Sequence, residues 1–426
     1  VARAERPLPS TTAPLPDVYR DLHAHPELSF AETRTAAVIV GRLRGLGYDV
    51  SEGVGGTGVV AVLRRGDGPR VLLRADMDGL PVREDTGLDY ASDVETTTPD
   101  GRTVPVMHAC GHDMHVTALL GALQQLQADP GWRGEILAVF QPAEEKGAGA
   151  RAMIDDGLYE RFGAPVVVLG QHVAPLPVGV LGLRDGPAFA ASDSLRITVF
   201  GRGGHGSRPE TTVDPVVLAA STILRLQTVV SREVSAAEQV VLTIGSVHAG
   251  DAGNIIPDRA VLEVSIRTFD TLVRARVLAA VDRIVAGEAA TAGADIPPTV
   301  ESLNAFPAVV NDSAAADRVR VAFDRALPAA MVIDPGVVTG SEDVGLLASA
   351  ANAPCVYWLL GGADPARFSG LAGPAEIARR VAELPSNHSP YFAPVVEPTI
   401  ELGASALATA ARAWLVTDEG SPGGAS

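Results

Sequence analysis

Short apolar runs alternate with longer stretches of helical spacing over most of the chain. Residues 59–64 and 71–74 predict strands, parted by the turn-forming Gly66-Asp67-Gly68-Pro69. Residues 116–127 predict a helix, with Asp113 placed to cap its N-terminus. Residues 135–140 and 166–169 read as further buried strands. Such alternation argues for a largely parallel sheet covered by helices.

The middle of the chain changes character. Residues 195–200 alternate like a strand, 213–230 have helical spacing, and 240–248 and 260–268 are strands again. A long helix at 271–290 and a strand at 296–302 complete a β-α-β-β-α-β order. That order predicts a ferredoxin-like, four-stranded antiparallel sheet with two helices on one face. The α/β pattern then resumes with a helix near 312–327, a strand near 355–360 and a helix near 400–415. The expected fold class is therefore α/β. Residues 1–187 and 302–426 form one discontinuous domain with a mixed, largely parallel sheet, and 188–301 form a smaller inserted domain. Residues 364–383 and the Gly/Ser-rich tail after Thr417 read as loops or frayed ends.

Composition narrows the partners. The 426 residues carry a formal charge of −17, and such a surface repels phosphate backbones, so nucleic acid is excluded as a partner. No run approaches the ~18 apolar residues of a membrane span. Residues 1–10 hold charges and two prolines where a signal peptide has an apolar stretch. The expectation is a soluble, cytoplasmic protein without a membrane partner. Lys146 is the only lysine, which removes most P-loop and Schiff-base chemistries. Cys110 and Cys355 cannot build a disulfide framework.

The densest chemistry is Met107-His108-Ala109-Cys110-Gly111-His112-Asp113-Met114-His115. In an extended chain His108, Cys110 and His112 share a face. If a helix begins at Asp113, His112 and His115 share one instead. A thiolate with imidazoles is a ligand set for a transition metal. Other apolar strands end in similar groups: Asp76 and Asp78 after 71–74, Glu144 and Glu145 after 135–140, and His172 after 166–169. His388 precedes the last helix. Carboxylates and histidines gathered at strand C-termini are where open α/β sheets keep their active sites. Two G-x-G-x-x-G matches, at 53–58 and 201–206, lack the immediate helix that a dinucleotide fingerprint requires. No G-x-S-x-G or H-E-x-x-H is present.

Taken in order, His23-Ala24-His25-Pro26-Glu27, Arg74-Ala75-Asp76-Met77-Asp78-Gly79-Leu80-Pro81, the His108–His115 cluster, Gln141-Pro142-Ala143-Glu144-Glu145, Gly203-Gly204-His205-Gly206-Ser207, Asn254-Ile255-Ile256-Pro257-Asp258, Gly340-Ser341-Glu342-Asp343 and His388-Ser389-Pro390 resemble the M20 metallopeptidases. The likeness is to their amidohydrolase branch, which includes hippurate hydrolases, aminoacylases and auxin-conjugate hydrolases, and it runs through most of the chain. It implies two divalent metal ions per subunit, with zinc, manganese, cobalt and nickel all compatible. Cys110 would bridge them, His112 and His172 completing one site and Glu145 and His388 the other. Glu144 would be the general base, and Asp78 would orient a ligand. The inserted domain would be the dimerisation or lid domain of a homodimer, sending His205 into the partner's active site to stabilise an oxyanion. Asn254 and Arg267 would hold the substrate carboxylate.

The implied reaction is hydrolysis of an N-acyl amino acid to a carboxylic acid and a free amino acid. A dipeptidase and a non-catalytic binding module of the same fold are the alternatives. The departures from the branch pattern are Glu210, where a histidine is common, Val344, where an aromatic is common, and Met114, where glycine is frequent. None removes an implied ligand.

Overall fold

The computed structural model describes residues 8–371 and 373–417, so the tail after Thr417 and the first seven residues lie outside the described residues. Two compact units emerge. One contains the residues up to Ala188, Val310–Gly336 and those from Asp343 on; the other contains Phe189–Val309 and Val337–Glu342.

The first unit is built on a mixed sheet in the order Asp49–Val54, Gly58–Arg65, Trp132–Gln141, Arg70–Asp76, Val167–Pro177, Cys355–Ala363, Val180–Gly182, Met331–Ile333. The four central strands, Trp132–Gln141 through Cys355–Ala363, run parallel. Their apolar stretches are buried on both faces, as a sheet with helices on either side demands. The predicted strands at 59–64, 71–74, 135–140 and 355–360 fall inside these elements, and the expected mixed, largely parallel sheet is present. Register puts Asp76 beside Gln141 and His172 beside Leu359. The segments that follow Asp76 and Gln141 therefore leave adjacent strands at the same edge.

The helix His112–Ala128 starts close to those strand ends, with His112 bonded to Asp78, and is buried through residue 123. It packs against the strand Arg70–Asp76 and the helices Leu15–Ala24 and Val396–Arg412. A helix enclosed on all sides has no polar face, which suits its Val116-Thr117-Ala118-Leu119-Leu120 run. It begins earlier than its apolar period suggests. Gly111, at φ 84°, occupies the cap position, and Asp113 lies inside the first turn with one oxygen on its neighbour Met114 N–H and the other on His23. Only glycine suits position 111, because its φ is left-handed and a Cβ would run into Val173. The polar stretch read as a loop contains a helix, Pro374–Glu383, started by Pro374 at its first position.

The second unit carries a four-stranded antiparallel sheet in the order Val240–His248, Arg259–Thr268, Ala191–Phe200, Thr299–Phe306. Along Arg259–Thr268 buried and less buried positions alternate strictly, so one face is covered and the other open. Leu262, Val264 and Ile266 form the core with Leu218 and Leu226 of Pro215–Thr228 and Val277, Val281 and Val285 of Thr271–Thr291. Asp214 and Asp270 cap these two helices through their side chains. The β-α-β-β-α-β order read from the sequence is the order observed, its last strand lying at Thr299–Phe306 where 296–302 was expected.

Candidate metal centre

At the carboxyl edge of the parallel strands the first unit gathers Cys110, His112, Glu144, Glu145, His172 and His388. Ligand atoms of Cys110, His112 and His172 lie within 4.8 Å of one another, and so do those of Cys110, Glu145 and His388. Cys110 belongs to both triplets. Its Sγ is 3.4 Å from His172 Nε2, and His388 Nε2 is 3.4 Å from Glu145 Oε1.

Hydrogen bonds decide which nitrogen of each ring is left to bind a cation. His172 Nδ1 donates to Val173 O at 2.8 Å, and His112 Nδ1 donates to Asp78 Oδ1 at 3.2 Å. Both rings therefore turn Nε2 inward, each oriented from behind by an oxygen in the manner of metal-binding histidines. His112 Nε2 and Glu145 Oε1 are buried with no hydrogen-bond partner. Burying such atoms unpaired costs about 1–3 kcal/mol each, a cost that a cation between them would offset. Burial disfavours a charged His112, yet the carboxylates of Asp76, Asp78 and Glu145 raise its pKa to about 10. Burial and the neighbouring His115 instead push His172 well below its ordinary value. The donor set, the orphaned atoms and the negative potential together fit a divalent cation with mixed S/N/O ligands.

Asp78 is the hub beneath this arrangement. Oδ1 also accepts the Glu144 N–H at 3.2 Å, and Oδ2 accepts the Glu145 N–H at 3.1 Å and the Ser29 hydroxyl at 2.7 Å. Thus one buried carboxylate fixes a histidine and the backbone of both glutamates. Ala143 precedes them with a left-handed φ of 48°, held by a 2.8 Å hydrogen bond from its N–H to Glu32. Glu32 is itself fully buried and takes the Thr57 hydroxyl. Below this layer Arg74 donates to Asp76, Gln141 and Asp343, while Asp343 also receives Gln141 and the Ala150 N–H. Burial raises Asp343 to about 6 against the pull of Arg74.

Two histidines of the cluster stay out of the triplets. His115 stacks on His112 with ring centres 5.4 Å apart, but Val173 N–H donates to its Nε2 and its Nδ1 donates to Asp76. Asp76, His112 and His115 lie close enough to suggest a third triplet, but both nitrogens of His115 are already committed. His108 is buried with neither nitrogen hydrogen-bonded, and burial lowers it to about 4. The chain turns at 108–111 instead of running extended, so His108, Cys110 and His112 do not form the common face that a strand would give.

His205, Asn254 and Arg267 belong to the second unit. The pairs Gly204–His205 and Ile255–Ile256 form a two-stranded ladder that sets His205 opposite Ile255, and Asn254 O accepts the Gly206 N–H at 2.8 Å. His205 is exposed, and its Nδ1 accepts the Ser207 N–H at 3.1 Å, which leaves the ring proton on Nε2. Arg267 donates to the Ser341 hydroxyl at 2.6 Å, and burial lowers its pKa.

Sequence reading gave no role to Ser29, Glu32, Arg74 or Asp343, although Arg74 and Asp343 lie in segments that carry the family resemblance. Each has a partner tens to hundreds of positions away, and for Ser29 and Glu32 no local signal marks it.

Comparison with known proteins identifies the family. The model of peptidase family M20/M25/M40 matches residues 72–410. N-acetyl-L-cysteine deacetylase of Bacillus subtilis is 38% identical over 329 residues, covering 76% of this chain and 75% of the relative. Hippurate hydrolase of Campylobacter jejuni is 44% identical over 259 residues, covering 60% and 65%. Among solved structures, a Bacillus subtilis dinuclear metal-binding peptidase of the M20 family aligns with a TM-score of 0.74 at 29% identity, over 93% of this chain and 96% of that one. The chain therefore belongs to peptidase family M20/M25/M40, in its amidohydrolase branch, and is a hydrolase of amide bonds.

Proposed function

We propose that this hydrolase cleaves N-acyl amino acids, hippurate-like, N-acetyl or longer, to a carboxylic acid and a free amino acid. The observation that carries the reading is the pair of ligand triplets sharing Cys110 beside Glu144. The names of the relatives, a deacetylase of an N-acetyl amino acid and a hippurate hydrolase, point to the same substrate class. Cys110, His112 and His172 would hold one divalent ion, and Cys110, Glu145 and His388 a second. Bound there, two such ions would lower the pKa of a water between them and polarise the amide carbonyl.

The protein's own part follows from position. Glu144 Oε2, 4.0 Å from His112 Nε2, takes the proton of the attacking water and returns it to the leaving amine. Asp78 holds the backbone of Glu144 and Glu145 and keeps His112 in the tautomer that offers Nε2. His205, with its proton on Nε2, donates to the developing oxyanion, a contact of the kind worth about 3–4 kcal/mol. We assign it to the active site of a partner subunit, the second unit serving as the dimerisation domain, with Asn254 and Arg267 receiving the substrate carboxylate.

A panel of acetyl, benzoyl and long-chain acyl amino acids, assayed with titrated zinc, manganese, cobalt and nickel, tests the reading. Hydrolysis of at least one acyl class, dependent on metal, is expected. A metal-loaded protein inert on all of them overturns it in favour of a binding module, and activity confined to free dipeptides makes it a dipeptidase.

A further inference from the structure

A buried ionic link in the first unit plays no part in the reaction described above, yet it joins the two ligand triplets. His23, on the helix Leu15–Ala24, is 1% exposed. Its Nδ1 donates to Asp113 Oδ2 at 2.6 Å and its Nε2 to Glu84 Oε1 at 3.0 Å, so the ring bridges two carboxylates 29 residues apart in sequence. Tyr19 and Tyr90 close around the ring, with centroids at 5.7 and 5.3 Å. Each carboxylate leads to a different triplet. Asp113 stands next to His112 in the first helical turn. Glu84 ties down its own loop through the Thr86 hydroxyl and the Ser92 N–H. The neighbouring Asp85 N–H donates to Pro390 O at 2.9 Å, and the Asp85 carboxylate raises the pKa of the nearby Tyr391 hydroxyl. Pro390 lies two residues past His388.

His388 needs such bracing more than the other ligands. It is 57% exposed in its side chain, sits on a loop, and has a left-handed φ of 72°. For a residue other than glycine that conformation costs about 1–3 kcal/mol and persists only where surrounding contacts impose it. Its N–H donates to Ala109 O, and Asn387 reaches Cys110 O and Val173 O. Those contacts hold the loop from the Cys110 side; the Asp85 contacts hold it from the other.

We propose that His23 is a positioning residue that sets the His388 loop in register with the His112 turn, and so fixes the spacing of the two ligand triplets. The inference rests on the two-cation reading of the site. Its signature is unequal: breaking the Glu84 half of the link loosens the triplet containing His388 and leaves the one containing His112 in place.

The test is a titration of the metal-free protein with Co2+ alone, followed by calorimetry and by the thiolate-to-cobalt charge-transfer absorption of Cys110. In His23→Asn the amide can replace Nδ1 toward Asp113 but cannot reach Glu84. Glu84→Gln keeps the His23–Asp113 contact and sets its amide NH2 against either the His23 Nε2–H or the Ser92 N–H, so it weakens the same half if the first variant folds poorly. One of two cobalt equivalents is expected to weaken about 10–100-fold in either variant, the range for groups that orient metal ligands, while the other holds. Wild-type affinity at both equivalents overturns the proposal, and so does a parallel fall of both in step with lost thermal stability. Binding of a single equivalent by the wild-type protein would instead sink the two-cation reading.

Discussion

The backbone N–H of Val173 donates a 2.8 Å hydrogen bond to Nε2 of His115, fixing the ring proton on Nδ1, where it faces Asp76. His115 thus ties a central strand to the buried carboxylate layer, although it stacks against a proposed ligand.

That assignment separates two neighbouring histidines by experiment. His115→Leu should keep the full metal complement, measured by elemental analysis, and lose about 2–4 kcal/mol of stability in denaturant, since Asp76 and the Val173 N–H lose their buried partner. His112→Ala should lose metal. Loss of metal from His115→Leu while it remains folded would put His115 in the coordination sphere.

Glu144→Gln should lower kcat by at least about 10²–10⁴-fold, the usual reach of a general base, with metal content unchanged. Mixed with a His205→Ala subunit, it should regain activity if the histidine acts across a dimer and subunits exchange. An exchanged mixture that stays inactive would place His205 in its own subunit's chemistry or outside it.

Asp78 binds His112 and the backbone of both glutamates at once, so Asp78→Asn should act on metal and catalysis together. A drop in metal affinity of about 10–100-fold is expected, with kcat still reduced when metal is supplied in excess. Full recovery of kcat at saturating metal would mean that Asp78 orients the ligand and nothing else.

His23 gives a pH dependence with a definite sign. Burial opposes its charge, but Asp113 and Glu84 outweigh that and raise it to about 10 from the ordinary 6.5. A base with a raised folded pKa lends its full stabilisation below about pH 6.5 and loses it as pH climbs through about 10. Unfolding free energy measured from pH 6 to 10 should therefore fall, by on the order of 3–5 kcal/mol from this group. The fall should flatten in His23→Asn. Parallel pH curves for the two proteins would assign the loss elsewhere.

The fold was largely legible because its signals are local. Apolar runs such as 135–140 declare buried strands, and the alternation along 260–268 declares a half-covered one. The proposed ligands stand out for a related reason, as Cys110 and His112 share one dense motif and Glu145 follows a strand end, but His172 lies inside the strand Val167–Pro177, which runs on past the 166–169 expected. Boundaries resting on tertiary contacts were not. Asp113 has the composition of a cap, but its oxygen is claimed by His23, ninety positions away. Pro374–Glu383 is too polar to stand out as a buried element, so its stretch reads as a loop. Glu32 and Ser29 carry no pattern of their own, and Asp343 shows only as part of a motif, because what defines all three is a partner brought near by the fold.

Cys110 lies where the two triplets meet, and one sulfur common to both makes their fates inseparable. If each triplet holds an ion as proposed, a reagent that alkylates or oxidises that thiol would strip a ligand from both in a single event. Inactivation would then run as one exponential with no half-loaded stage, and prior loading with metal would slow it. The buried Cys355, on the central strand Cys355–Ala363, would be a bystander to that damage.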